Sequence, residues 1–119
     1  MDDIRRGQVW WVDLPAEPRG SEPGFRRPVV VVQDDFFNRS ALSTVVVVAV
    51  TRNLALGQLP GNVPLSRRES GLRRDSVANV TALLAIDRVF FSDPGVPLGK
   101  LGPRTMSAID AGLALVLSL

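Results

Sequence analysis

The chain has 119 residues, 45% hydrophobic and 22% charged, with a formal net charge of +2, which fits one ordinary globular domain (1–119) built on a single core. It contains no Cys and no His, which excludes a disulfide framework, a thiolate or imidazole metal cluster and a histidine general base. The polar start MDDIRRGQ is unlike a signal peptide and no apolar run reaches membrane-spanning length, so a cytoplasmic protein with no membrane partner is expected.

Gln8–Leu14 alternates as a strand, with Val9 and Trp11 on one face and Trp10, Val12 and Leu14 on the other. One Trp belongs in a core; the other lines either a partner interface or a second small core. Pro15–Arg27 is a long loop rich in Pro, Gly and charge, of a length that is usually functional or disordered. Val29–Gln33 opens with four valines, a short β-branched run suited to a strand buried on both faces. Asp34–Ser43 is polar, and Asp34 and Asp35 are read as turn formers, because sequence neighbours seldom converge on one site.

Thr44–Thr51 is the most β-prone segment, and Arg52 and Asn53 follow at its mouth. Leu54–Gly61 is a loop, and Asn62–Leu65 a short strand whose Pro64 predicts an edge. Ser66–Asp75 is a basic loop holding Arg67, Arg68, Arg73 and Arg74, and Ser76–Leu84 reads as one or two strands around Asn79. Ile86–Asp93 forms a helical turn or continues irregularly, and Pro94–Leu101 is loop and a short strand. Gly102 and Pro103 then start an amphipathic helix to about Leu117, with Met106, Ile109, Leu113, Val116 and Leu117 as its apolar stripe. Several strands followed by one helix predict a mainly β fold, a small curled sheet or barrel closed by that helix.

Charge is unevenly spread. Of the 14 cations only Lys100 is lysine, and Arg is in excess over acids between Arg19 and Asp75. The planar guanidinium fork matches phosphate oxygens, although GC-rich coding gives the same bias. Arg27 is the focal case. It sits where the Gly20–Phe25 loop enters the valine strand, and Pro28 pushes it toward an extended conformation suited to gripping a phosphate. The alternative is that Arg26 and Arg27 are solvated gatekeepers beside an aggregation-prone strand.

Together, RRGQVWWVDL, GSEPGFRRPVVVVQDDFFN, TVVVVAVT, PGNVPL, GLRRDSVANV, AIDR and the terminal IDAGLALVLSL resemble the MazF/PemK family, the toxins of prokaryotic toxin–antitoxin pairs. The resemblance runs over essentially the whole chain in matching order. It implies an SH3-like β-barrel closed by a C-terminal helix, a homodimer, and a MazE-like cognate antitoxin with a flexible acidic tail. It also implies a metal-independent endoribonuclease with no cofactor, which cuts single-stranded RNA and leaves 2′,3′-cyclic phosphate and 5′-hydroxyl ends. Carried over position by position, the catalytic Arg falls on Arg27, the strand-end Thr on Thr51 and the loop Glu on Glu22. A carboxylate and a His used by one branch of the family are absent; Asn79 and Thr81 stand near the matching positions.

Cleavage by a neighbouring 2′-hydroxyl needs a proton acceptor, charge stabilisation at phosphorus and a proton donor for the leaving oxygen. Arg27 suits charge stabilisation and Thr51 suits holding the phosphate. The base is either Glu22, desolvated by bound RNA, or Arg27 itself acting as a shuttle. Taken singly, Thr51 reads as a strand end and Glu22 as the partner of a neighbouring Arg. Candidate RNA contacts are Ser21, Phe25, Arg26, Arg52, Asn53, Arg73 and Arg74, since exposed bases stack on aromatic or guanidinium planes. Two other classes remain: a CcdB-like gyrase poison, which relies on C-terminal aromatic residues where this chain ends Leu117-Ser118-Leu119, and a non-catalytic RNA-binding barrel.

Overall fold

A computed structural model of the chain describes residues 3–14, 26–91 and 94–119. The β-branched segments become β1 (Gln8–Asp13), β2 (Arg26–Val31), β3 (Thr44–Thr51), β4 (Val63–Leu65), β5 (Ser76–Asp87) and β6 (Gly99–Lys100). All six pair antiparallel in one sheet, in the order β4–β5–β3–β2–β1–β6. Three short helical elements interrupt them: α1 (Asp35–Asn38) and α2 (Arg67–Ser70), with a 3-10 helix at Leu54–Gln58 between the two. A second 3-10 helix covers Arg88–Phe91, and α3 (Pro103–Leu117) closes the chain.

The sheet buries side chains on both faces, which is why its central strands are continuous valine runs rather than alternating ones. Val9, Val30, Val32, Val48 and Val50 pack with Met106 and Ile109 of α3. On the opposite face Val12, Val29, Val31, Val45 and Val47 pack with Trp10, Ile86 and Phe91. Trp10 is fully buried there, edge-on to Phe91 at 5.5 Å, and its Nε1 donates to Gln8 Oε1 at 2.9 Å. The two tryptophans are thereby separated: Trp10 belongs to the second core, while Trp11 stays half-buried on the other face.

Curling of the sheet follows from how its two edges meet. The chain leaves edge strand β4 at Leu65, and α2 carries it directly onto the opposite edge, β6. The contact is so close that a Cβ on Gly71 would lie 2.0 Å from Leu98 O, and one on Gly99 would lie 2.7 Å from Ser70 O. Gly71 also takes φ +78° as the cap of α2, a conformation that favours glycine. A register shift between Val48 and Ala49, opposite Leu83 and Asn79, adds further bend to β5.

Several expectations change in detail. The basic segment Ser66–Asp75 contains α2, capped by Ser66 Oγ accepting from Glu69 N at 3.2 Å. Asp34 and Asp35 are structural, as expected, but they build a helical turn. Asp34 caps α1, and Asp35 Oδ1 accepts from Arg6 N at 2.7 Å and Asn38 Nδ2 at 3.0 Å. Ser76–Leu84 is one strand continuing to Asp87, so Ile86 is β and the helical turn begins at Arg88. The stripe of α3 is buried only at Met106 and Ile109; Val116 and Leu117 are exposed, as are Leu115 and Leu119. Among the described residues no helix is long and apolar enough to cross a membrane.

Candidate nucleic-acid interface

Antiparallel pairing brings the C-terminal ends of β1 and β3 beside the N-terminal ends of β2 and β5 at one rim of the sheet. A cleft of about 920 Å³ opens there. Arg26, Arg27, Arg52, Arg73 and Arg74 all border it, and no acidic residue does among the described residues. Three separate segments supply these cations, so the concentration of positive charge is a product of folding. Trp11, Pro28 and Leu72 give the cleft apolar wall between the guanidinium groups. A groove with fixed positive charge and planar surfaces suits a flexible polyanion with flat bases.

Arg27 lies within β2 and not in a loop ahead of it; it pairs with Val12, and Pro28 pairs with Trp11. The β2–β3 register begins at Val29, directly after Pro28, which has no N–H to donate. Extending Val29↔Ala49 by two residues sets Arg27 opposite Thr51, on the same face of the sheet. Thr51 is half-buried, and its Oγ1 accepts from Asn53 N at 3.1 Å. Its neighbours Val50 and Arg52 border the cleft, whereas Thr51 does not.

Arg26 occupies the other side of the rim. Its guanidinium lies 5.2 Å from the centre of the Trp11 ring, and Nη1 is 3.1 Å from Asp13 Oδ1. Asn53, a candidate RNA contact, has its Oδ1 accepting from Ala55 N at 3.2 Å, so it caps the 3-10 helix Leu54–Gln58. Glu22, Ser21 and Phe25 lie outside the described residues. Asp75 accepts from Arg67 N at 3.0 Å and so fastens the start of α2, while Thr81 Oγ1 donates to Asn79 Oδ1 at 2.8 Å. Among the described residues no group of three or more Asp, Glu, His or Cys gathers as a metal site.

Trp11 is the one aromatic residue among the described residues that border the cleft, and it is not among the candidate RNA contacts legible in the sequence. Its signal was present in the strand alternation, which put the two tryptophans on opposite faces, but the pairing that brings Arg26 over it is long-range.

Comparison with known proteins agrees with this architecture. The chain is 41% identical over 116 residues to Endoribonuclease MazF6 of Mycobacterium tuberculosis, covering 98% of each chain. The fold matches an endoribonuclease from a mycobacterial species, solved in complex with its cognate antitoxin, with TM-score 0.71 and 26% identity over 100% of this chain and 97% of that one. It also matches MazF from Deinococcus radiodurans with TM-score 0.76 at 18% identity, covering 100% of both chains. A family model described as the PemK-like, MazF-like toxin of type II toxin–antitoxin systems matches residues 5–117. By sequence and by fold, the chain belongs to the PemK-like, MazF-like toxin family.

Proposed function

We propose that this protein is an endoribonuclease toxin that cuts single-stranded RNA in the arginine-bordered cleft and is held in check by a cognate antitoxin. The observation that carries this reading is five arginine residues bordering one cleft with no carboxylate among its described lining residues. Relatives named endoribonucleases, at 41% identity over nearly the whole chain, support the reaction class.

The RNA 2′-oxygen attacks the adjacent phosphorus, the bond from phosphorus to the 5′-oxygen breaks, and a proton passes to that oxygen. The products are a 2′,3′-cyclic phosphate and a 5′-hydroxyl, with no metal required. Arg27 stabilises the charge that builds on the nonbridging oxygens, and Thr51, just beyond the cleft's lining beside Arg52, holds the phosphate for in-line attack where the RNA crosses the rim onto the face that Arg27 and Thr51 share. Glu22 accepts the proton from the 2′-hydroxyl. Flanking phosphates run along Arg26, Arg52, Arg73 and Arg74.

The antitoxin complex of a mycobacterial relative supports an inhibitor for this chain too. An acidic segment would compete with RNA for the same guanidinium groups. A homodimer, the assembly this reading carries, would cover the apolar end of α3 at Leu115, Val116 and Leu117.

Purified protein incubated with a long single-stranded RNA in EDTA tests the reading. Discrete cuts bearing cyclic-phosphate ends support it. Intact RNA with a gel shift would instead make the protein a non-catalytic RNA binder.

A further inference from the structure

We infer that Trp11, with the Arg26 guanidinium over part of it, is the surface in the cleft on which one RNA base stacks. The inference rests on the RNA reading above and adds a binding residue to it. Trp11 is the one aromatic side chain among the described residues that border the cleft. It differs from its neighbour Trp10, which is fully buried against Phe91 and therefore closed to any ligand. Trp11 is half-buried, so part of its indole is walled by protein and part meets the cleft.

Rigidity favours the assignment. Trp11 is in the middle of β1, paired across to Pro28 on β2. A ring held on a strand loses little freedom when a base settles on it. Arg26 caps part of the same platform, its guanidinium lying over the indole 5.2 Å from the ring centre, so that a base meets the indole and the guanidinium together. Asp13 steadies that guanidinium from its paired position, Nη1 to Oδ1 being 3.1 Å. A guanidinium in this position presents a flat face to a base and N–H groups to an adjacent phosphate. Stacking tolerates any base identity, so Trp11 contributes grip at one nucleotide and leaves sequence choice to hydrogen-bonding groups elsewhere. The competing explanation is that Trp11 only packs, covering the apolar wall and propping Arg26.

A binding experiment separates the two. The probe is a dodecamer RNA spanning a mapped cut site, with a 2′-O-methyl group at the cut nucleotide so that it stays intact. A matching series lacks one base at a time. Wild type should bind one of these abasic oligomers about tenfold more weakly than the complete dodecamer. Trp11→Leu should bind the complete dodecamer about tenfold more weakly and no longer discriminate against that oligomer, while Trp11→Phe stays within a few-fold of wild type. Unchanged affinity in Trp11→Leu, or an undiminished abasic penalty in that variant, would overturn the inference. Should Trp11→Leu not fold, Trp10→Phe serves instead, because Trp11 is then the only indole of the two in the chain. Its emission should respond to the complete dodecamer and not to the oligomer lacking the stacked base; an equal response to both would equally overturn the inference. If wild type binds no dodecamer at all, the RNA reading itself has failed and this inference falls with it.

Discussion

Glu69 and Gly102 make a helix cap out of two distant elements. Gly102 is the residue before the first turn of α3 and has no side chain to cap it; Glu69 Oε1 accepts from its N–H at 2.7 Å, and Oε2 accepts from Thr105 Oγ1 at 3.0 Å. A carboxylate at a helix N-terminus is favoured by both hydrogen bonding and the helix dipole. Glu69→Ala should therefore lower stability by about 1–2 kcal/mol, and Glu69→Gln by less. Urea unfolding of the two variants checks the order; an alanine variant as stable as wild type would remove the cap from the account.

Gly112 shows packing outweighing propensity. In mid-helix, Gly→Ala normally gains about 1 kcal/mol. Here the added Cβ would lie 2.1 Å from Gly61 O, a backbone atom that no rotamer change can move aside. Gly61 is itself held at φ +91°. Such an overlap costs about 1–3 kcal/mol, so Gly112→Ala should be less stable than wild type. A higher unfolding temperature in this variant would mean that the α3–Gly61 contact relaxes easily.

Asp35 gives the fold an acid-sensitive joint. Burial works to raise its pKa, but hydrogen bonds from the Arg6 amide and Asn38, with the charges of Arg5 and Arg39, outweigh it and hold the carboxyl below its usual value. A lowered folded pKa means stability that is present above the unfolded value of about 3.9 and lost as pH falls through the folded pKa. Asp35→Asn should thus be less stable at pH 7, by about 1 kcal/mol after allowance for partial exposure. The gap to wild type should close as both are taken toward pH 2. A gap that stays constant with pH would show that the carboxylate charge contributes nothing.

How much of this was legible beforehand depends on the range of the interactions involved. Thr44–Thr51 and the helix starting at Pro103 match their expected spans, because valine-rich composition and a proline at the first helical position act locally. Pro64 correctly marked an edge strand. The turn α2 was missed although Ser66-x-x-Glu69 has the form of a capping box. Only half of that box forms, since Glu69 reaches across to α3 instead of back to Ser66. The cluster of Arg26, Arg27, Arg52, Arg73 and Arg74 was named residue by residue, but the cleft that unites them depends on strand order. The same holds for Trp11 and Arg26, which meet through the β1–β2 register. Asn53, a candidate RNA contact, also caps the following 3-10 helix through its side-chain oxygen, a role set by the local turn.

Salt dependence should count the phosphates. Each phosphate neutralised on a single strand contributes about −0.7 to the slope of log affinity against log salt. Arg73→Ala or Arg74→Ala should each flatten that slope by about 0.7 and weaken all RNA sequences alike. A variant with the wild-type slope would show that its arginine does not touch the backbone.

The single-turnover cleavage rate of Arg27→Ala tests the central claim most directly. Arg27 borders the cleft from within β2 and shares its face with Thr51, and the substitution removes its half-buried side chain beyond Cβ. With circular dichroism and unfolding temperature showing an intact fold, the rate on a mapped RNA site at saturating protein should fall at least about a hundredfold. Arg27→Lys should recover little of it, because an ammonium lacks the paired contacts to phosphate. A folded Arg27→Ala protein that cuts at the wild-type rate would contradict the account and move the catalytic centre elsewhere.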